Sequence, residues 1–427
     1  MATDETRIPD AIAQPLVDPR AYADGRIFES YAWLRANNPV GRAEVEGFDP
    51  FWVVTKHADI LEVSRQNELF HSGDLATTLT NKAADAHVRE MTGGSPHLVR
   101  SLVQMDAPDH PKYRALPQAW FMPQNIRKLE ARIRQIAEAS VERMAATGGT
   151  CDFVREVALH YPLHVVMEIL GVAEADEPRM LMLTQELFGA ADPELARDGD
   201  APDQSRDMAA IQAVIADFYN YFGKISADRR AHPQGDLATV IADAQIDGAP
   251  ISELEALSYY VIVATAGHDT TSSTTAGALW ALAEHPDQLA WVKEDLSRVP
   301  NLIEEAIRWT TPVKTFMRSA TADAEVGGRA IAKGDWLMLC YASGNRDEAV
   351  FDQPDRFDAA RTPNRQLAFG YGAHVCLGQH LARMEMRILY EALLPRLNSV
   401  SLAGEGRLSR STFVNGPKTL PIAFEMA

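Results

Sequence analysis

The sequence predicts a mainly helical fold with small β-sheets, in a single domain spanning residues 1–427. Three observations predict it. Apolar residues at helical spacing dominate the chain. Runs rich in β-branched or aromatic residues and bounded by turns are few and short. No internal repeat or low-complexity linker divides the chain.

The elements follow in order. "FWVVTKH" (51–57) reads as a strand. From Asn125 to Ala146, apolar residues fall at Ile126, Leu129, Ile133, Ile136 and Val141, and Gly148-Gly149 ends this helix. "YPLHVVMEILGV" (161–172) is a helix running from an early Pro to a Gly. The polar stretch at 191–208 is expected to be a mobile surface loop. Residues 251–285 read as one very long helix, opened by Ser252 with Glu255 three later, a capping box. "NLIEEAIRWT" (301–310) and residues 377–397 are two more helices. Residues 324–331 form a hairpin around Gly327-Gly328, and "DWLMLCYA" (335–342) is a strand.

Composition narrows the function. A hydrophobic content of 46% is enough for a large core. A net charge of −18 argues against nucleic-acid binding, which needs Lys/Arg patches. Three cysteines make no disulfide framework, and no two have CxxC spacing. The N-terminus lacks a basic region followed by an apolar core. The most apolar stretch, 259–267, is far shorter than the ~20 residues of a membrane span. A cytoplasmic protein with no membrane partner is expected.

Cys340 sits in an apolar strand and Cys151 has no frame around it, so both read as structural. Cys376 differs. Gly370 and Gly372 permit a tight turn before it. Leu377, Leu381, Met384 and Ile388 then share one helical face. A cysteine at a helix N-terminus meets unpaired N–H groups and the positive end of the dipole, which lower its pKa.

The string Phe369-Gly370-Tyr371-Gly372-Ala373-His374-Val375-Cys376-Leu377-Gly378 resembles the haem-thiolate signature of the cytochrome P-450 family. The resemblance implies that Cys376 is the axial ligand of haem b (iron protoporphyrin IX), framed by Phe369 and Gly370. It implies the mainly helical cytochrome P-450 fold, with the long central helix over the haem. A thiolate ligand pushes electron density onto iron and favours O–O cleavage.

Other segments carry the same resemblance. Glu305 and Arg308, three apart on a helix, would otherwise be an ordinary surface pair. In the family such a pair meets an arginine from a Pro-x-Arg-Phe segment, here Pro354-Asp355-Arg356-Phe357. The resemblance therefore implies a buried triad of Glu305, Arg308 and Arg356. "ATAGHDTTSSTT" (264–275) is rich in poor helix formers, which predicts a bulge in the long helix. Ala266-Gly267-His268-Asp269-Thr270 resembles the family's distal motif. That implies that Asp269 feeds protons and that Thr270 donates a hydrogen bond to dioxygen. "MDAPDHPKYRAL" (105–116) places His110 and Arg114 four apart. By resemblance they contact the haem propionates together with Arg318 and His374.

The resemblance covers essentially the whole chain. Several segments are similar to the bacterial, α-terpineol-oxidising branch of the family, and the segment from about Ser72 to Leu98 departs most. The implied activity is hydroxylation of a small hydrophobic substrate, a terpenoid, alkyl-aromatic or aromatic hydrocarbon, with O2 and two electrons. Substrate-lining candidates by position are Ile262, Thr265, Ala266, Val313, Phe316, Phe413 and Val414. No flavin or nicotinamide segment follows Cys376, so an iron–sulfur ferredoxin with its reductase is the expected electron source for a monomeric enzyme. Lys112, Arg127, Lys128, Arg361 and Arg365 are the candidates for its basic docking patch. Two other readings share the thiolate: a peroxide-driven peroxygenase, and a non-catalytic haem-thiolate binding or sensing protein. The presence of Asp269-Thr270 favours neither.

Overall fold

A computed structural model describes residues 5–197 and 208–427. Five helices position the site: α1 (Asp109–Gln118), α2 (Glu177–Phe188), α3 (Glu253–Glu284), α4 (Val299–Thr310) and α5 (Gln379–Leu393). The central helix α3 runs 32 residues through the protein. Its capping box forms as its sequence requires. Ser252 Oγ accepts the Glu255 N–H at 3.2 Å, and Glu255 Oε2 accepts the Ser252 N–H at 2.9 Å. Gly277 lets α3 approach α4, because a Cβ there would lie 2.2 Å from Thr310 Oγ1.

The expected bulge at 264–275 does not interrupt α3, which is helical throughout. The hydroxyls of Thr265, Thr270 and Thr274 bond back to the carbonyls of Val261, Ala266 and Thr270 at 2.8, 2.7 and 3.0 Å. These three hydroxyls are thus satisfied inside the helix without displacing a turn. The helix expected over 125–146 opens instead as a turn at Pro123–Ile126 and a 3-10 turn at Arg127–Leu129, before Glu130–Ala145.

The strands form one five-stranded sheet and smaller ones. Across the large sheet the order is Val40–Ala43, Phe51–Val54, Trp336–Cys340, Thr315–Ala320 and Phe70–His71. Trp336–Cys340 runs parallel to Phe51–Val54 and antiparallel to Thr315–Ala320. Alternation along Trp336–Cys340 sends Trp336, Met338 and Cys340 into one apolar cluster and Leu337 and Leu339 into another. The expected hairpin forms from Ala324–Val326 and Arg329–Ile331. The largest core packs α3, α4 and α5 together with Tyr161, Phe218 and Phe222.

The polar stretch from 191 onward is not a free loop where it is described. Asp192 is fully buried, and Lys418 Nζ lies 2.9 Å from its carboxylate. A buried lysine partner anchors the chain that composition alone marks as solvated. The remainder of that expectation, at 198–207, lies outside the described residues.

Candidate active site

Cys376 lies in a loop whose geometry glycine permits. Gly370 and Gly372 have φ of 68° and 73°. At Gly372 a Cβ would also sit 2.2 Å from the Ser64 carbonyl oxygen. The Cys376 N–H donates to the Phe369 carbonyl at 2.8 Å, closing the turn. The helix that follows, α5, begins at Gln379. The amides of Gly378 and Gln379 bond to the sulfur and pull its pKa down, as do Arg114 and Arg383. Burial is the larger effect and pushes the thiol up. The helix-end amides thus act on the sulfur as expected but are outweighed by burial, and a bound cation is what deprotonates a sulfur so placed. Arg383 also lies over the Phe369 ring, 4.4 Å from its centroid.

Burial pushes Cys340 up as well, and raises Cys151 to about 11. Neither has a cation beside it among the causes of its shift, which suits their structural reading.

Four donors gather beside the cysteine loop. The His110 and His374 rings lie 4.3 Å apart. Arg114 Nη2 donates to the Val375 carbonyl at 2.8 Å. Arg318 is buried and acts electrostatically on both histidines. His110 is pushed down to about 4, first by burial and then by His374 and Arg114. His374 is lowered by burial, against the pull of Asp106. Asp106 was not legible as part of this cluster. It accepts the N–H groups of Ser72 and Gly73 at 2.9 and 2.7 Å, and lies 3.9 Å from His374 Nε2.

The residues present fit haem b. His110 Nε2 is buried with no hydrogen-bond partner. Donors and cations outnumber the one carboxylate near them, so the cluster suits two further carboxylates such as haem propionates. In mid-protein, α3 turns one face outward. Ile262, Val263, Gly267 and Thr270 are half-buried there and Ala266 is exposed, while neighbouring Ala264, Thr265 and His268 are buried.

A sequence profile of the Cytochrome P450 family matches residues 75–419. The chain belongs to the cytochrome P450 family. Cytochrome P450-terp of a Pseudomonas species is 49% identical over 423 residues, spanning 98% of this chain and 99% of the relative. Linalool 8-monooxygenase of Pseudomonas putida is 33% identical over 411 residues, 95% of this chain and 98% of the relative. The crystal structure of CYP108D1 from Novosphingobium aromaticivorans superposes with a TM-score of 0.91 at 46% identity, covering 99% of this chain and 100% of that one. The P450 fold and its haem b therefore apply here, as does the class of oxidoreductase monooxygenase using O2, a redox partner and a small substrate. No described helix is long and apolar enough to cross a membrane.

In this P450 the buried triad differs from its expected membership. Glu305 and Arg308 are fully buried and pair at 2.7 Å. The third cation is Arg361, whose Nε lies 3.1 Å from Glu305 Oε2. Arg356 is exposed, and only its carbonyl takes part, accepting from Arg308 and Arg361 at 3.1 Å each. Asp358 N and Asn364 Nδ2 complete the shell of Glu305 at 2.9 and 3.1 Å. Arg361 is consequently withdrawn from the basic patch, its side chain 8% exposed. Lys112 is exposed but paired with Asp247 at 2.5 Å. Arg127, Lys128 and Arg365 are exposed.

The substrate candidates divide. Phe316 and Phe413 meet edge to face, with centroids 5.1 Å apart. Phe413 also meets Phe188, at 6.1 Å. Phe188, in the last turn of α2, joins this aromatic group although nothing in its local sequence marks it. Val313 and Val414 form a β-bridge beside it. Thr265 is a correction: at 1% exposure it packs on the buried side of α3, with its hydroxyl on Val261. Its place one residue before Ala266 turns it from the open face. Asp269 Oδ1 lies 3.5 Å from His268 Nδ1, while its Oδ2 is buried without a partner.

Proposed function

We propose that this P450 hydroxylates a terpenoid, alkyl-aromatic or aromatic hydrocarbon, with electrons from an iron–sulfur ferredoxin and its reductase. The observation that carries the substrate class is the apolar face of Ile262 and Ala266 on α3, with the aromatic group Phe188, Phe316 and Phe413. Rings of this kind hold a flat or unsaturated hydrocarbon by area and by edge-to-face contact. P450-terp and linalool 8-monooxygenase, by their names, belong with terpene chemistry.

Haem, when bound through Cys376, supplies the oxygen activation. The chain's own residues do the rest. Phe369 and the amides of Gly378 and Gln379 hold the sulfur in place. His110, Arg114, Arg318 and His374 would hold the two propionates. Asp269 hands protons toward Thr270. The Thr270 hydroxyl already donates to the Ala266 carbonyl at 2.7 Å. Toward the open face it therefore acts through its lone pairs, holding a proton donor in line rather than supplying its own hydrogen. The apolar substrate wall excludes bulk water and so protects the coupling of electrons to product.

The ferredoxin is proposed to dock where α5 leaves the cysteine loop. A groove of about 300 Å³ lies there, lined by Arg127, His380, Arg383 and Arg387 with Glu130 and Glu304. Arg383 and Arg387 are paired there with Glu304 and Glu130, so the exposed Arg127, with Lys128 and Arg365, is what would meet an acidic carrier. Beside such a carrier the enzyme is proposed to work in the cytoplasm, and it is proposed to act as a monomer.

The test is reconstitution with NADH, a ferredoxin reductase and a ferredoxin, across a panel of terpene alcohols, alkylbenzenes and fatty acids. Hydroxylated terpenoid or aromatic products, with matching shifts of the haem spin state, are expected. Equal turnover with peroxide and none with NADH would assign the peroxygenase reading instead. Ligand binding without product in either system would assign the sensing reading.

A further inference from the structure

A partly open cavity of about 50 Å³ lies beside Asp269, lined by α2, α3 and the C-terminal strands. Its polar lining is Gln185, Asp269, Ser272, Ser273, Ser409 and Lys418. A water needs roughly 10–15 Å³ of such space and two or more polar partners, so the cavity has room for about three to five. The unpartnered Oδ2 of Asp269 is buried, and a buried carboxylate oxygen without a partner calls for an ordered water.

At the cavity's other end, Lys418 Nζ lies 2.9 Å from Asp192 and 2.8 Å from Glu194. Asp192 is fully buried, whereas Glu194 is half exposed and also bonded by Arg407 at 2.7 Å. Titratable and polar groups thus run from solvent to Asp269: Glu194, Lys418, the hydroxyls of Ser273 and Ser272, and Asp269. His268 closes the opposite side. Its Nδ1 meets Thr184 at 3.1 Å and its Nε2 meets the Leu159 carbonyl at 2.9 Å, which leaves no ring nitrogen for the cavity.

We infer that protons reach Asp269 through this cavity, entering beside Glu194, Asp192 and Lys418. The inference rests on the proposed role of Asp269 and Thr270. Monooxygenation consumes two protons with two electrons as one oxygen atom of O2 leaves as water. Each proton enters at the Glu194 end. Each water accepts one proton and passes one on, and Asp269 gives one toward Thr270 and regains one from the nearest water. No electron moves along this route. Ser272, Ser273 and Gln185 are positioning residues that hold the water chain.

The experiment follows Asp269 directly. Its carboxyl carbon is observed by NMR in aspartate-labelled protein and assigned by its loss in Asp269→Asn. Ser272→Val removes a hydroxyl and fills the cavity, so it should displace water from the Asp269 carboxylate and move that carbon resonance. Coupling of NADH to product should fall on the order of 10-fold, with a larger solvent isotope effect. Lys418→Met would strand the buried Asp192 carboxylate, so Glu194→Gln is the variant for the mouth. It should lower coupling and enlarge the isotope effect while leaving substrate-induced spin-state shifts as in the parent. If Asp269→Asn loses coupling while Ser272→Val leaves the resonance, coupling and isotope effect unchanged, the cavity is not the route. An effect of Ser272→Val without one of Glu194→Gln overturns the entrance. If Asp269→Asn and Thr270→Ala both keep parental coupling, the reading of the pair fails and the route with it.

Discussion

Arg361 Nε lies 3.1 Å from Oε2 of Glu305, inside a shell where the neighbouring Arg356 places only its carbonyl. The fully buried Glu305–Arg308 pair is tolerable because every oxygen of Glu305 has partners. Arg361→Ala removes one of them and should cost about 3 kcal/mol, since breaking a buried ion pair leaves charge uncompensated. Arg356→Ala changes an exposed side chain and should stay within about 0.5 kcal/mol. Urea midpoints at constant m-value decide it. Equal losses in the two variants would restore Arg356 to the triad.

Cys376→Ala should lose the red-shifted Soret band of the reduced CO complex, because no other sulfur stands in the glycine-framed loop. Cys340→Ala should keep that band, with at most a loss of stability from a buried strand position. A band abolished by Cys340→Ala and kept by Cys376→Ala would reverse the ligand assignment.

Thr270→Ala should leave haem and substrate binding intact and divert electrons to peroxide or water. Asp269→Asn should slow product formation by ~10²–10⁴-fold, the usual cost of losing a proton-transfer group. The two are separable by measuring oxygen, NADH and peroxide together. Parental coupling and rate in both variants would contradict the roles given to them.

Lys314 is buried at 6% exposure, and its ammonium donates to the Thr310 carbonyl at 2.6 Å. Burial, aided by Arg346, pushes its pKa down to about 7. Between pH 7 and about 10.5 the unfolded chain binds this proton and the folded chain does not, so stability should rise with pH across that window. Below pH 7 both states are protonated and the contribution stays flat at its lower level. Lys314→Met should abolish the rise and stabilise the protein at neutral pH by a few kcal/mol, on the order expected for a shift of this size. Denaturation midpoints at pH 7 and pH 9 give the answer. A parental pH slope in Lys314→Met would mean that other groups titrate there.

The extent of helix and the short strands were legible because they rest on local periodicity. The capping box of α3 and the hairpin at Gly327-Gly328 needed only neighbours in sequence. The cysteine loop was legible for the same reason: its glycines, its Phe and its sulfur act within ten residues of one another.

What the sequence by itself determined was therefore the helical architecture, the cysteine frame and the residue types at the site. Tertiary structure alone decided which partners meet. Arg361 rather than Arg356 reaches Glu305, because the turn at Asp355-Arg356-Phe357 buries Phe357 and leaves Arg356 outside. Thr265 packs inward while Ala266 is open, because the angular offset between consecutive helical residues turns them to different faces. Phe188 joins Phe413 across more than two hundred residues of chain, and Asp192 finds Lys418 in the same way. The balance on the Cys376 thiol was likewise set by burial, a property of the surrounding fold that no stretch of sequence carries on its own.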